Sequence, residues 1–202
     1  AGSTADGAEA PDLNQDTKGT TITFWHSMGG VNGEAMDYLV NKFNEENTDG
    51  ITVEAVYQGE YDDTINKLKS AQIGNMGADL VQIYDIGTRF MIDSGWVIPM
   101  QELINADGYD ISQIEPNIAA YYTVNNELYS MPFNSSTPIL YYNKDMFEKA
   151  GITEVPTSLE GILAIGDDLK TKGGAGEPLA LSIYGWYFEQ WLCEQGLFYA
   201  DN

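Results

Sequence analysis

Apolar and β-branched residues alternate through Thr21-Ile22-Thr23-Phe24-Trp25, a pattern that predicts a strand. His26-Ser27-Met28-Gly29-Gly30 then turns the chain, and the period lengthens. Met36, Leu39, Val40 and Phe43 recur at i, i+3, i+4 and i+7, as on one face of a helix. Alternation returns over Ile51, Val53, Ala55 and Tyr57, a second strand. Gln58-Gly59-Glu60 leads into a helix bearing Ile65 and Leu68. The run Leu80-Val81-Gln82-Ile83-Tyr84 reads as a buried strand, followed by a helix from about Ile86 to Ser94. Strand and helix alternating with short links is the pattern of an α/β protein, a parallel sheet covered on both faces. Ligands of such sheets bind beyond the carboxyl ends of the strands. Three loops should therefore converge: His26 to Gly30, Gln58 to Tyr61, and Asp85 to Thr88.

The pattern is less regular further on. Trp96 to Ala120 reads as peripheral helices. Tyr121 to Tyr129 has the form of a tight hairpin, with Asn125 and Asn126 supplying positive φ. Two prolines, Pro132 and Pro138, bracket the polar turn Asn134-Ser135-Ser136-Thr137. Such a segment should be stretched and stiff, with donors and acceptors displayed together. Read blandly, it is a loop feeding the strand-like run Ile139 to Tyr142. Its place between two α/β patterns makes it instead the point where two lobes meet. A short helix ending at Gly151 should follow. Thr157 with Glu160 matches a capping box for a helix carrying Ile162, Leu163, Ile165 and Leu169. Leu179 to Ile183 reads as a strand, and Gly185 opens a last helix.

Composition narrows the classes. The 202 residues carry 31 acids against nine bases, a net charge of −22. Nucleic acid, which needs clustered Lys and Arg, is a poor partner, and so is an anionic membrane surface. No apolar run approaches the ~20 residues of a membrane span. Residues 1–20 are small, polar and acidic, the composition of a disordered tether. Cys193, the single cysteine, excludes an internal disulfide; beside Trp191 and Leu192 it is expected to be a packed core residue.

Little in the chain supports catalysis. One histidine, His26, cannot build a His-rich metal site, and no cysteine cluster helps it. Ser27, Ser135 and Ser136 lack a nucleophile elbow. Paired carboxylates for glycoside hydrolysis mean little among 31 acids. The aromatics near predicted loops are more telling, because aromatic faces with polar edges grip polyols and sugars. Of these, Trp25 and Tyr84 are expected in the core, whereas Tyr61 and Trp186 suit a site.

With those loops in view, the chain resembles the extracellular solute-binding proteins of ABC importers, in the carbohydrate-binding family. The likeness is greatest to the binding components for glycerol-3-phosphate and glycerophosphodiesters. The residues that carry it are Phe24-Trp25-His26-Ser27-Met28, Tyr57-x-Gly59-x-Tyr61, Gln82-x-Tyr84-Asp85-x-Gly87-Thr88, Pro132 to Asp145, and Gly185-Trp186. The resemblance implies a periplasmic-binding-protein fold of two lobes with a hinge. It places a lobe at 21–130, a crossing at 131–142 and the start of a second lobe at 143–202. The family being about twice this length, the chain is expected to be an N-terminal portion with one nearly complete lobe, and so prone to self-association. Ligand contacts would fall on Tyr61, Asp85, Ser136 (or Ser135) and Trp186. Glu stands in the glycerol-3-phosphate binders where this chain has Asp85, which would be free to face a cation. They also carry a tryptophan where it has Ile183, so a roomier pocket for a larger headgroup is implied. The implied function is a non-catalytic receptor, without cofactor, that delivers a glycerophosphodiester, glycerol-3-phosphate or sugar to an importer permease. It would work extracellularly or in the periplasm as a membrane-tethered lipoprotein. The alternatives are a secreted carbohydrate-active hydrolase and a sugar-binding adhesin.

Overall fold

A computed structural model describes residues 16–74 and 76–200; most of the expected tether, residues 1–15, lies outside the described residues. The chain forms two compact units, one running to Ser136 and the other from Thr137 onward.

The first unit is built on strands β1 (Thr21–His26), β2 (Thr52–Tyr57) and β3 (Leu80–Val81), in the order β2-β1-β3. Both pairings are parallel, with Thr21 opposite Thr52 and Phe24 opposite Leu80. Parallel strands need crossovers, and helices α1 (Gly30–Glu46) and α2 (Tyr61–Ile73) supply them. The edge of β2 is covered by side chains. The Asn44 carboxamide both donates to the Val53 carbonyl (2.9 Å) and accepts from its N–H (2.7 Å). Asn47 treats Ile51 in the same way. Asn44 on α1 and Asn47 at its C-cap thus occupy backbone groups that would otherwise template pairing with another chain.

The third strand is shorter than its apolar run suggested. Its ladder to β1 continues by other means: the Asp79 carboxylate accepts from the Thr23 N–H, and the Gln82 N–H donates to the Trp25 carbonyl. Leu80 is half exposed rather than buried. Beyond it, a 3-10 turn (Asp85–Gly87) runs into α3 (Thr88–Ser94). Then come α4 (Met100–Asp107), α5 (Pro116–Tyr121) and the hairpin of β4 (Thr123–Val124) with β5 (Glu127–Leu128). Asn125 and Asn126 hold φ of 53° and 66°, as the hairpin reading requires. Met36, Ile65, Leu68, Met91, Ile104 and Leu128 are the buried apolar residues of this unit. The Glu60–Asp63 capping box starts α2, fixing Tyr61 at its first position.

The second unit has helices but no strand among its described residues. These are α6 (Lys144–Ala150), α7 (Leu159–Asp168) and α8 (Gly185–Glu194), with a π turn over Leu169–Gly173 after α7. Two expectations fail here. Ile139 to Tyr142 and Leu179 to Ile183 are not strands: no neighbouring strand pairs with either, and their apolar side chains are largely exposed. β-propensity describes a fit to a pleated surface, and without that surface it has no outlet. The helix cap is also displaced. Ser158, not Thr157, caps α7, accepting from the Gly161 N–H at 3.1 Å. Cys193 is exposed on α8, not packed in a core. The ending of α6 is as expected, with Gly151 left-handed at φ 74°. Ala150 and Leu169 are buried where α6 meets the π turn. A Cβ added at Gly173 would lie 2.8 Å from the Met146 carbonyl, so glycine permits that approach.

Candidate functional site

The carboxyl ends of all three parallel strands open onto one cluster of polar side chains. Leaving β1, His26 and Ser27 are buried. Thr64, on the first turns of α2, is fully buried, and its hydroxyl meets that of Ser27 at 2.7 Å. Gln82, just after β3, accepts from the Ser27 N–H through its side-chain oxygen at 2.9 Å. Its amide nitrogen then donates to the side-chain oxygen of Asn134, also at 2.9 Å. From the Pro132–Pro138 stretch, Asn134 donates in turn to the Tyr61 hydroxyl (2.9 Å) and to the Met28 sulfur (3.8 Å). Groups from four separate stretches of sequence are thereby tied together.

Tyr61 presents a face as well as an edge. Its ring stacks on Tyr84 with centroids 5.4 Å apart and planes within 5°. Tyr84 donates its hydroxyl to Asp62 at 2.6 Å. Tyr84 therefore belongs to this aromatic wall and not to the core, against the expectation from sequence. Stacked rings with wet edges suit a ligand that is part apolar and part polar.

Asp85 has a partner on each of its carboxylate oxygens. One carboxylate oxygen accepts from the Tyr121 hydroxyl at 2.8 Å and the other from the Ile86 N–H. It lies in a hollow with Thr88, Arg89 and Tyr121, where Arg89 is paired with Asp93 at 2.7 Å. Ser135 and Ser136 are exposed on the Pro-bracketed stretch. Trp186 belongs to the second unit, on the first turn of α8, among Tyr184 and Tyr187 with ring centroids 6.4 and 5.9 Å away. The structure thus joins Tyr61 to Asn134, Gln82 and Tyr84, and joins Asp85 to Tyr121.

Sequence reasoning passed over Gln82 and Thr64 as functional. Gln82 lay inside an apolar run and Thr64 at a helix start; a buried amide in a strand was the available signal, since such a group needs partners. His26 is held below its ordinary pKa by burial, opposed by the charge of Asp37. Its Nδ1 accepts from the Met28 N–H at 3.3 Å, a role open only to an unprotonated nitrogen. Among the described residues, no cluster of His, Cys, Asp and Glu could hold a metal ion. Among them, too, no helix is long and apolar enough to cross a membrane.

Residues 29–201 match the family model described as bacterial extracellular solute-binding protein. The sn-glycerol-3-phosphate-binding periplasmic protein UgpB of Salmonella paratyphi A is 43% identical over 138 residues, 66% of this chain and 31% of that protein. Its counterpart in Escherichia coli K12 is 37% identical over 161 residues, 76% of this chain and 36% of that protein. The chain spans about a third of the length of these curated relatives. Among solved structures, UgpB from Mycobacterium tuberculosis in complex with glycerophosphocholine matches with a TM-score of 0.69 at 26% identity, covering 77% of this chain and 41% of that one. The sugar-binding protein MalE of Xanthomonas citri shares the fold, with a TM-score of 0.63 at 22% identity over 76% of this chain and 38% of that one. By its parallel sheet and by the family match over residues 29–201, the chain belongs to the bacterial extracellular solute-binding proteins, of periplasmic-binding-protein fold.

Proposed function

We propose that this chain carries part of the solute site of a non-catalytic receptor, which hands a glycerophosphodiester, glycerol-3-phosphate or sugar to an ABC importer permease. The observation that carries the reading is the wall at the strands' carboxyl ends, where Tyr61 stacks on Tyr84 and is fixed by Asn134. A polyol or glyceryl backbone would lie against such a face and exchange hydrogen bonds at its edge. Identity of 43% with a glycerol-3-phosphate-binding protein favours a glyceryl solute over an oligosaccharide. Asp85, Ser135, Ser136 and Trp186 are proposed to complete the contacts. The segment 131–142 would be the crossing between a lobe at 21–130 and one beginning at 143. Closure of lobes on the solute would then select the bound state through contacts made only there. Tethering of the N-terminal segment to a membrane outside the cell is part of the same proposal.

The test is calorimetry on the protein as its gene encodes it, titrated with sn-glycerol-3-phosphate, glycerophosphocholine and maltose. The expected result is saturable binding of at least one, with the solute recovered unchanged. Turnover of the bound solute would favour a hydrolase, and failure to bind any of the three would overturn the reading.

A further inference from the structure

The direction of every hydrogen bond around Tyr61 follows from one backbone group. The Ser27 N–H can only donate, and it meets the side chain of Gln82 at 2.9 Å, so the Gln82 oxygen must face it. Gln82 is 8% exposed. Reversing its amide would turn a donor toward a donor at a buried position. The Gln82 nitrogen therefore points at Asn134 and donates to its oxygen at 2.9 Å. That in turn orients the Asn134 amide, whose nitrogen reaches the Tyr61 oxygen at 2.9 Å and the Met28 sulfur at 3.8 Å, both as acceptors. Ser27 itself is held: its hydroxyl meets that of Thr64, which donates to the Glu60 carbonyl at 3.3 Å.

A phenol that accepts from Asn134 still has its own proton to give. Among the described residues, no acceptor for the Tyr61 O–H is found, while the stack on Tyr84 fixes the plane in which that hydrogen lies. We infer that Gln82 and Asn134 are positioning residues, an amide relay that sets Tyr61 as a hydrogen-bond donor toward an acceptor oxygen of the solute. The inference rests on the receptor reading above and deepens it, because it states which way one contact in that site must run. Phosphate oxygens and sugar oxygens share the required chemistry.

The relay makes Asn134→Asp and Asn134→Ala differ in a characteristic way. Asn134 is exposed, so both changes leave the core intact. In Asn134→Asp one carboxylate oxygen accepts from Gln82, and the other takes the Tyr61 proton away from the solute. In Asn134→Ala the proton remains available. Calorimetry with sn-glycerol-3-phosphate, glycerophosphocholine and maltose should show an affinity loss of about thirtyfold for Asn134→Asp and a smaller one of about fivefold for Asn134→Ala, which loses the positioning but keeps the proton. A negative charge alone would also repel a phosphate, so the same change is made in Tyr61→Phe protein, which has no proton to divert. There Asn134→Asp should cost about threefold or less. Loss confined to the two phosphate solutes assigns a phosphate oxygen to Tyr61, and equal loss with maltose assigns a sugar oxygen. If a solute binds but Asn134→Asp costs the same in both backgrounds, or no more than Asn134→Ala, the relay is wrong while the receptor reading stands. If none of the three solutes binds the parent protein, the receptor reading fails and the relay's role falls with it.

Discussion

The two units receive similar sequence signals and do different things with them. Val53 and Ala55 alternate in the first unit and become a strand because β1 lies alongside. Leu181 and Ile183 alternate in the second and remain exposed, and among the described residues no strand pairs with them. In the first unit a central strand organises two crossovers, and the polar groups at its carboxyl end have partners from four stretches of chain. In the second, order comes from the packing of α6 on the π turn, which buries Ala150 and Leu169, and from local devices: the Asn143 cap of α6, the Ser158 cap of α7, and the left-handed Gly151. Periodicity is therefore a request for a neighbour, and a strand forms only where one is supplied.

The sharpest way to break this contrast is to delete apolar atoms on each side. Leu68 is 2% exposed on α2, and Leu68→Ala should cost about 3 kcal/mol, the transfer and cavity terms together. Leu163, at 79% exposed on α7, should cost less than about 0.5 kcal/mol when changed to Ala. Urea unfolding of the two variants measures both; equal losses would contradict the burial of Leu68 and the exposure of Leu163.

Next in size is a binding effect. If the aromatics of both units serve one solute, Trp186→Ala should weaken binding by about one to two powers of ten, as for loss of a buried aromatic contact. Ile183→Trp should shift preference from glycerophosphocholine toward glycerol-3-phosphate. Calorimetry on these variants decides; unchanged affinity for every solute would confine Trp186 to the ring cluster with Tyr184 and Tyr187.

Smaller still is the cap. Ser158→Ala should lower stability of the second unit by about 1 kcal/mol, whereas Thr157→Ala should change little. Amide exchange along α7 reads the difference directly, and the reverse ranking would reinstate the cap expected from sequence.

The smallest effect is a pH dependence that belongs to the first unit, which holds the only histidine. Burial disfavours the charged ring, so His26 takes up its proton below 6.5 in the folded state but near 6.5 in the unfolded chain. The unfolded state then binds more protons, and stability is full above 6.5 and falls as pH drops from there toward the folded value. Urea midpoints at about pH 7.5 and about pH 5.5, for the parent and for His26→Asn, isolate this from the carboxylates, which titrate lower. An identical acid response in both proteins would refute it.

Much of the first unit was legible because its signals are short-range and periodic. Met36, Ile65 and Leu68 fall where a helical face demands, and the Asn125-Asn126 pair can hardly be anything but a left-handed turn. The parallel order followed from alternation of strand and helix, and with it the end of the sheet at which polar groups gather. Other features are set by contacts at long range. Gln82 and Asn134 are 52 residues apart, and nothing in either neighbourhood reveals that their amides are coupled. The partner of Asp85, Tyr121, is 36 residues away on α5, and no local signal announces it. Thr157 and Ser158 compete for one cap, and motif spacing alone chose the wrong hydroxyl.

The turn at Asn125 and Asn126 also constrains how this chain can drift. A single base change converts an Asn codon to an Asp codon, whereas Gly needs more than one. Asp tolerates left-handed φ far better than most other replacements do. Neutral substitution at the turn should thus run mainly through Asp, each step adding to a chain that already carries 31 acids.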